Sequence, residues 1–104
     1  MKVRAFDSSL RKFYSALDES IVAKVLNTVD WLERFGNNLG MPHSKKIAAN
    51  LFELRTRGRP EVRILYTFKN SEAVLLHAFI KKSQKIPRQE IIIALNKLKL
   101  LDSI

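Results

Sequence analysis

Three arginines lie within two neighbouring apolar segments near the middle of the chain. Residues 51–57 contain Arg55 and Arg57, and residues 62–68 contain Arg63. Side chains alternate between the two faces of a strand, so a hairpin of these segments would place all three arginines on one face. Guanidinium groups bind phosphate through paired N–H donors. This spacing therefore predicts a surface that binds phosphate, and hence nucleic acid.

A second basic group follows the next apolar segment, which begins at Ala73. This segment contains His77 and runs into Lys81, Lys82 and Lys85. An imidazole can exchange a proton near neutral pH, so His77 is a candidate catalytic group, with a satisfied interior histidine as the alternative. Lysines can position phosphate and supply a proton to a leaving oxygen.

The overall charge supports a polyanionic partner. The chain has 19 basic and 10 acidic residues among 104, a formal net charge of +9. Such a charge favours nucleic acid or an acidic protein as the partner.

The sequence has no sign of a metal site. There is no cysteine, and the two histidines, His43 and His77, do not have the spacing of a metal site. We expect no metal or cofactor. No apolar run reaches the length of about 20 residues that spans a bilayer, so we expect a cytoplasmic protein. No amphipathic helix places lysines opposite bulky aromatic residues, so we expect no membrane contact.

The pattern of apolar residues predicts one α+β domain over residues 1–104. Asp18 and Gly36 mark the start and end of the longest helix. The expected elements are a strand at 2–6, helices at 9–16 and 19–35, an irregular segment at 36–50, strands at 51–57, 62–68 and from 73, and a helix at 87–99. The short links favour an antiparallel three-strand meander. We expect the helices on one face of this small sheet, with the arginine face left open.

Some polar and aromatic residues have simpler interpretations. Lys45 and Lys46 are candidate RNA contacts, but the segment that contains them also fits one helical turn with a solvated face. Glu53 beside the arginines fits a cross-strand ion pair. Tyr66 is expected in the core, and Trp31 at the edge of the core rather than at a ligand.

Three segments together resemble a known toxin superfamily. They are Leu51-Phe-Glu-Leu-Arg55, Arg63-Ile-Leu-Tyr66 and Leu76-His-Ala-Phe-Ile-Lys-Lys-Ser-Gln-Lys-Ile-Pro87, with Pro42-His-Ser-Lys-Lys46 before them and Glu90-Ile-Ile-Ile-Ala-Leu95 after them. In this order they resemble the HigB-like, phage-derived branch of the RelE/ParE superfamily. The resemblance implies a RelE-like sheet with two N-terminal helices and a C-terminal helix, and a bacterial type II toxin-antitoxin system.

The resemblance also implies an activity and its partners. Such toxins enter the ribosome, cut messenger RNA without a metal and arrest growth until a cognate antitoxin, often a helix-turn-helix protein, binds them. Attack by the 2′-hydroxyl would give a 2′,3′-cyclic phosphate. By position, Arg63 would stabilise charge on the scissile phosphate, and Lys82 or Lys85 would transfer a proton. Arg55 would bind a flanking phosphate or assist in charge stabilisation. From the residues themselves, His77 is the alternative proton-transfer group, and Arg57 and Lys81 are candidate RNA contacts.

One feature departs from the RelE prototype, and two other functions stay open. The prototype has a tyrosine near its C-terminus that stacks on a base of the message, whereas residues 90–98 here contain no aromatic residue. Phe79 or Tyr66 could replace it, or stacking could be absent. ParE-like members of the same superfamily inhibit DNA gyrase instead of cutting RNA. A non-catalytic nucleic-acid-binding module fits the charge equally well.

Overall fold

An antiparallel meander of three strands forms the centre of a five-stranded sheet. The computed structural model describes residues 1–104. Its elements are β1 (Lys2–Ala5), α1 (Ser9–Ser15), α2 (Glu19–Phe35), β2 (Ser44–Ala48), β3 (Leu51–Thr56), β4 (Glu61–Lys69), β5 (Glu72–Lys81) and α3 (Arg88–Asp102). The strand order is β1-β5-β4-β3-β2, with β1 parallel to β5 and every other pair antiparallel. The predicted α+β fold is confirmed, and it is compatible with a RelE-like fold.

The longest helix begins and ends where the sequence predicts. Helix α2 runs from Glu19 to Phe35, directly after Asp18. It ends at Gly36, whose φ of 53° lies in the left-handed region that glycine adopts without steric cost. The helix packs on the sheet through its apolar stripe, in which Val25 and Leu32 are fully buried.

The helices cover both faces of the sheet, so the prediction that they share one face is wrong. Helices α1 and α2 pack on one face through Leu10, Val25 and Leu32. Helix α3 packs on the other face through Ala94 and Leu98. The physical reason is that β4 and β5 are apolar on both sides, and such strands must be covered on both faces.

The segment around Lys45 is a strand, not the helical turn that the sequence suggested. Strand β2 pairs with β3, with Lys45 opposite Glu53 and Lys46 opposite Phe52. Opposite residues share a face, so the two lysines lie on opposite faces of this edge strand. A register shift between Lys46 and Ala48 interrupts the alternation by which a strand is recognised.

An irregularity in β5 fixes the orientation of its second half. Leu65 pairs with His77 while the next residue of β4, Tyr66, pairs with Leu75. Leu76 is therefore an extra residue, and a bulge of this kind shifts the alternation of side chains between the two faces by one residue in the rest of the strand. As a result His77 and the residues two and four positions beyond it lie on the face covered by α3.

None of the helices is both long and apolar enough to cross a membrane.

Candidate nucleic-acid interface

Arg55 and Arg63 share one face of the sheet, as predicted, but both are paired with carboxylates. Arg55 and Arg63 are directly opposite one another on β3 and β4. Glu53 lies between them: its Oε1 accepts a hydrogen bond from Arg55 Nε at 2.8 Å. Its Oε2 is 3.4 Å from Arg63 Nε, an ion-pair distance. Arg63 Nη2 also donates to Glu61 Oε1 at 2.9 Å. Glu53 thus allows two arginines to pack side by side.

The centre of this arginine–glutamate cluster of Glu53, Arg55, Glu61 and Arg63 is buried. Arg63 is 5% exposed and Glu53 is 1% exposed. The expectation that Arg63 lies outside the core on an open face is therefore wrong. The reason is that α3 covers the neighbouring part of this face, and two carboxylates already neutralise the guanidinium. Arg55 retains partial access, with a side chain 19% exposed.

The carboxylate of Glu61 responds to the charges around it. The hydrogen bond from Arg63 and the charge of that guanidinium lower the pKa of Glu61 below its ordinary value, and Lys81 and Arg57 add to the effect. Arg57 and Lys81 therefore both lie near this carboxylate, at the end of the sheet where β3 ends and β4 begins.

His77 forms a pair with a carboxylate of the C-terminal helix. Its Nε2 lies 2.9 Å from Glu90 Oε2. Glu90 is in the first turn of α3. A carboxylate accepts but does not donate, so this contact places the imidazole hydrogen on Nε2. Nδ1 has no hydrogen-bond partner in the protein and is left free to contact a ligand.

The structure brings His77 together with one of the predicted lysines. A cleft of about 430 Å³ is lined by His77, Phe79, Lys82 and Glu90. A second cleft, of about 370 Å³, has Lys82 in its wall beside Lys81. Lys82 therefore stands between the histidine pair and the arginine–glutamate cluster, whose Glu61 also lines the second cleft.

The other predicted contacts are spread more widely. Lys85 is exposed in the segment before α3 but lines neither cleft. Lys45 and Lys46 are exposed on β2, on opposite faces of the sheet edge, so they do not act as one pair. Arg57 is exposed just beyond β3, where it lines a separate cleft with Arg55.

Neither aromatic residue proposed to stack on a base is available for stacking. Tyr66 is 1% exposed and its hydroxyl is 2.6 Å from Ser44 Oγ. Burial raises the pKa of Tyr66. Phe79 packs into the cluster beneath α3 and is 6% exposed. The prediction of Tyr66 as a core residue is confirmed, and the suggested stacking role for both residues is wrong.

Two groups of residues were missed from the sequence. Glu61 and Glu90 belong to the site because they pair with Arg63 and His77 across the fold. Trp31 and His43 line the separate cleft with Arg55, and neither belongs to a hydrophobic core cluster. Trp31 therefore does not simply fill the edge of the core. Its position off the centre of the apolar stripe of α2 was the available sequence signal.

No group of three or more His, Cys, Asp or Glu side chains is placed to hold a metal ion. The side chains of the interface are instead cations, carboxylates paired with them, and one imidazole. Such groups can bind an anion and move a proton.

The family follows from the sequence match. The model of the family described as Phage derived protein Gp49-like (DUF891) matches residues 12–99, and the chain belongs to this family. The family is toxin-like and falls in the broad RelE/HigB group. The comparison with curated proteins gives no match.

Proposed function

We propose that this protein is the toxin of a type II toxin-antitoxin system and cleaves messenger RNA on the ribosome. The observation that carries the proposal is the His77–Glu90 pair in a cleft shared with Lys82. The net charge of +9 suits a phosphate-rich target. Membership in a toxin-like family gives the biological context.

The cleft supports a proton-transfer mechanism. His77 Nδ1 takes the proton of the RNA 2′-hydroxyl as the 2′ oxygen forms a bond to the adjacent phosphorus. The bond from phosphorus to the 5′ oxygen then breaks, and Lys82 supplies the proton that this oxygen takes up. The products are a 2′,3′-cyclic phosphate and a 5′-hydroxyl. Glu90 fixes the imidazole so that the correct nitrogen faces the substrate.

The remaining basic residues would serve binding or positioning. Lys81 and Lys85 would hold phosphates that flank the scissile bond. Arg63 is buried against two carboxylates, so in this arrangement it would position Glu61 and the start of β4. Direct contact of Arg63 with the phosphate would require this cluster to open.

The proposal extends to partners. A cognate antitoxin, a helix-turn-helix protein, would hold the toxin inactive in a hetero-oligomeric complex. Release from it would allow the toxin to act on translating ribosomes in the cytoplasm and arrest growth.

The test is single-turnover cleavage of ribosome-bound message by purified variants. We expect His77→Gln to lower the cleavage rate by about 10²–10⁴-fold, the usual effect of losing a general base. Glu90→Gln should give a smaller loss because the amide can still contact the imidazole. The matched control is Lys99→Ala, an exposed lysine at the far end of α3.

The outcomes separate the candidate functions. Full activity of folded His77→Gln would refute this mechanism. If the wild type leaves message intact, a gyrase supercoiling assay tests the ParE-like function: inhibition there would replace the nuclease proposal.

A further inference from the structure

A cleft separate from the His77 cleft lies between α2 and the end of β3. It has a volume of about 340 Å³, and seven of its nine lining residues are polar or charged. Thr28 and Thr56 form its floor, where Thr56 Oγ1 donates to Thr28 Oγ1 at 3.0 Å. Thr28 Oγ1 in turn donates to the carbonyl of Lys24 at 3.0 Å. This floor ties the helix to the sheet and gives the cleft a fixed base.

The rim of the cleft is cationic and contains no carboxylate. Lys24, Arg55 and Arg57 all line it. Lys24 and Arg57 are exposed and form no ion pair. Six of the 19 lysines and arginines do form an ion pair with a carboxylate, Arg63 and Lys97 among them. Two unpaired cations beside one cleft are the arrangement that a bound anion would complete.

One wall of the cleft is aromatic. The rings of Trp31 and His43 have their centroids 4.2 Å apart at an angle of 56°. The loop that carries His43 is held in place because the backbone carbonyl of His43 accepts a hydrogen bond from Arg55 N at 2.8 Å. Both rings are half-buried. The indole N–H and the imidazole nitrogens make no hydrogen bond within the protein, so they are available to a ligand.

The cleft opens at the end of the sheet that carries the basic segment 81–88. Residue Arg55 is opposite Arg63, which is opposite Phe79. Two strand spacings, about 10 Å, therefore separate β3 from β5. Arg57 and Lys81 are both close enough to Glu61 to lower its pKa, and Lys81 and Lys82 line one cleft with Glu61. The cations of the α2–β3 cleft therefore lie at the same end of the sheet as Lys81 and Lys82.

We propose that the α2–β3 cleft binds single-stranded RNA, with a base against Trp31 and His43 and the neighbouring phosphates on Lys24 and Arg57. Aromatic stacking beside cations is the usual way in which proteins hold single strands. This chemistry also supplies the stacking surface that Tyr66 and Phe79 cannot provide. The inference rests on the proposed function only in naming RNA as the ligand, and it concerns binding rather than cleavage.

The only tryptophan of the chain reports on the cleft directly. A short single-stranded RNA, titrated into the protein without ribosomes, should quench the fluorescence of Trp31. The double variant Lys24→Ala/Arg57→Ala should bind about tenfold more weakly. Its slope of log affinity against log salt should fall by about 1.4, since each lost single-strand phosphate contact removes about 0.7.

A matched control changes the same charges elsewhere. Arg11→Ala/Lys99→Ala removes one arginine and one lysine, both exposed on other helices and without a carboxylate partner. This control should keep the affinity of the wild type within twofold, since it leaves the cleft unchanged. A merely global charge effect would instead lower the affinity of both double variants equally. Trp31→Ala, followed with labelled RNA by anisotropy, should bind at least about fivefold more weakly.

Each outcome bears on the proposal. Equal affinities of the two double variants would overturn it. Equal quenching by inorganic phosphate or a mononucleotide would also overturn it, because it would show a simple anion site. Binding that depends on Lys24 and Arg57 supports it even if no RNA is cut, in which case the nuclease proposal alone fails. Unchanged binding and unchanged cleavage in Lys24→Ala/Arg57→Ala would remove the cleft from the RNA path and leave the His77 mechanism intact.

Discussion

Replacement of Arg63 by alanine should destabilise the fold as well as affect activity. The guanidinium lies 3.4 Å from the carboxylate of Glu53, which is 1% exposed. Loss of one partner leaves the other charge buried and less well neutralised, which typically costs about 3–5 kcal/mol. Arg55 still contacts Glu53 at 2.8 Å, so we expect the lower end, about 3 kcal/mol. The half-exposed contact with Glu61 adds only about 0–1 kcal/mol.

This loss should be visible in both thermal and chemical unfolding. In a domain of this size 1 kcal/mol corresponds to about 4–8 °C in Tm. The Tm of Arg63→Ala should therefore fall by about 12–24 °C. The matched control, Arg59→Ala, removes an exposed arginine without an ion pair from the neighbouring turn, and should change stability by less than about 0.5 kcal/mol.

A compensating variant separates the buried charge from the lost side chain. In Glu53→Gln/Arg63→Met no charge of this pair remains, and the methionine fills part of the vacated volume. We expect the double variant to recover at least half of the stability that Arg63→Ala loses. A loss below about 1 kcal/mol in Arg63→Ala, or a double variant less stable than the single one, would refute this reasoning. Activity of Arg63 variants must accordingly be compared at temperatures where each is folded.

Two further predictions concern stability. Thr28→Val should lower the free energy of unfolding by about 1–3 kcal/mol, since it leaves the buried Thr56 hydroxyl without its acceptor. In urea unfolding, the double variant Thr28→Val/Thr56→Val should regain most of this stability, and an additive loss would contradict the explanation. The pKa of Glu61 is lowered in the folded protein, so the ionised Glu61 stabilises the fold. This stabilisation is fully present when the pH is above the ordinary glutamate pKa of 4.5, and it is lost as the pH falls through the folded pKa. Thermal melts at decreasing pH should show a smaller acid-induced loss in Glu61→Gln than in the wild type, and equal losses would exclude this contribution.

The elements of the fold were largely predictable, but their arrangement was not. The period of apolar residues and the residues Asp18 and Gly36 are local features, and they located α2 correctly. The placement of α3 on the second face depends on tertiary packing. The double-sided apolar pattern of β4 and β5 did contain that information. Strand β2 was misread because its register shift removes the alternation.

The candidate site was predictable in residue type more than in role. Alternation on β3 and β4 correctly placed Arg55 and Arg63 on one face. Their burial depends on Glu53 and Glu61, and a sequence does not show how closely carboxylates approach a guanidinium. The contact of His77 with Glu90 joins a strand to a helix 13 positions further along the chain, and the bulge at Leu76 sets the face on which His77 lies. No local sequence pattern indicates either feature.

The most direct test of the central claim is to map message 5′ ends in a bacterial cell-free translation reaction, with and without ribosomes. Wild-type protein and His77→Gln would be compared at equal folded concentrations. The proposed mechanism predicts new 5′-hydroxyl ends that require ribosomes and disappear in the variant. Intact message with folded wild-type protein, or cuts that the variant makes equally well, would contradict it.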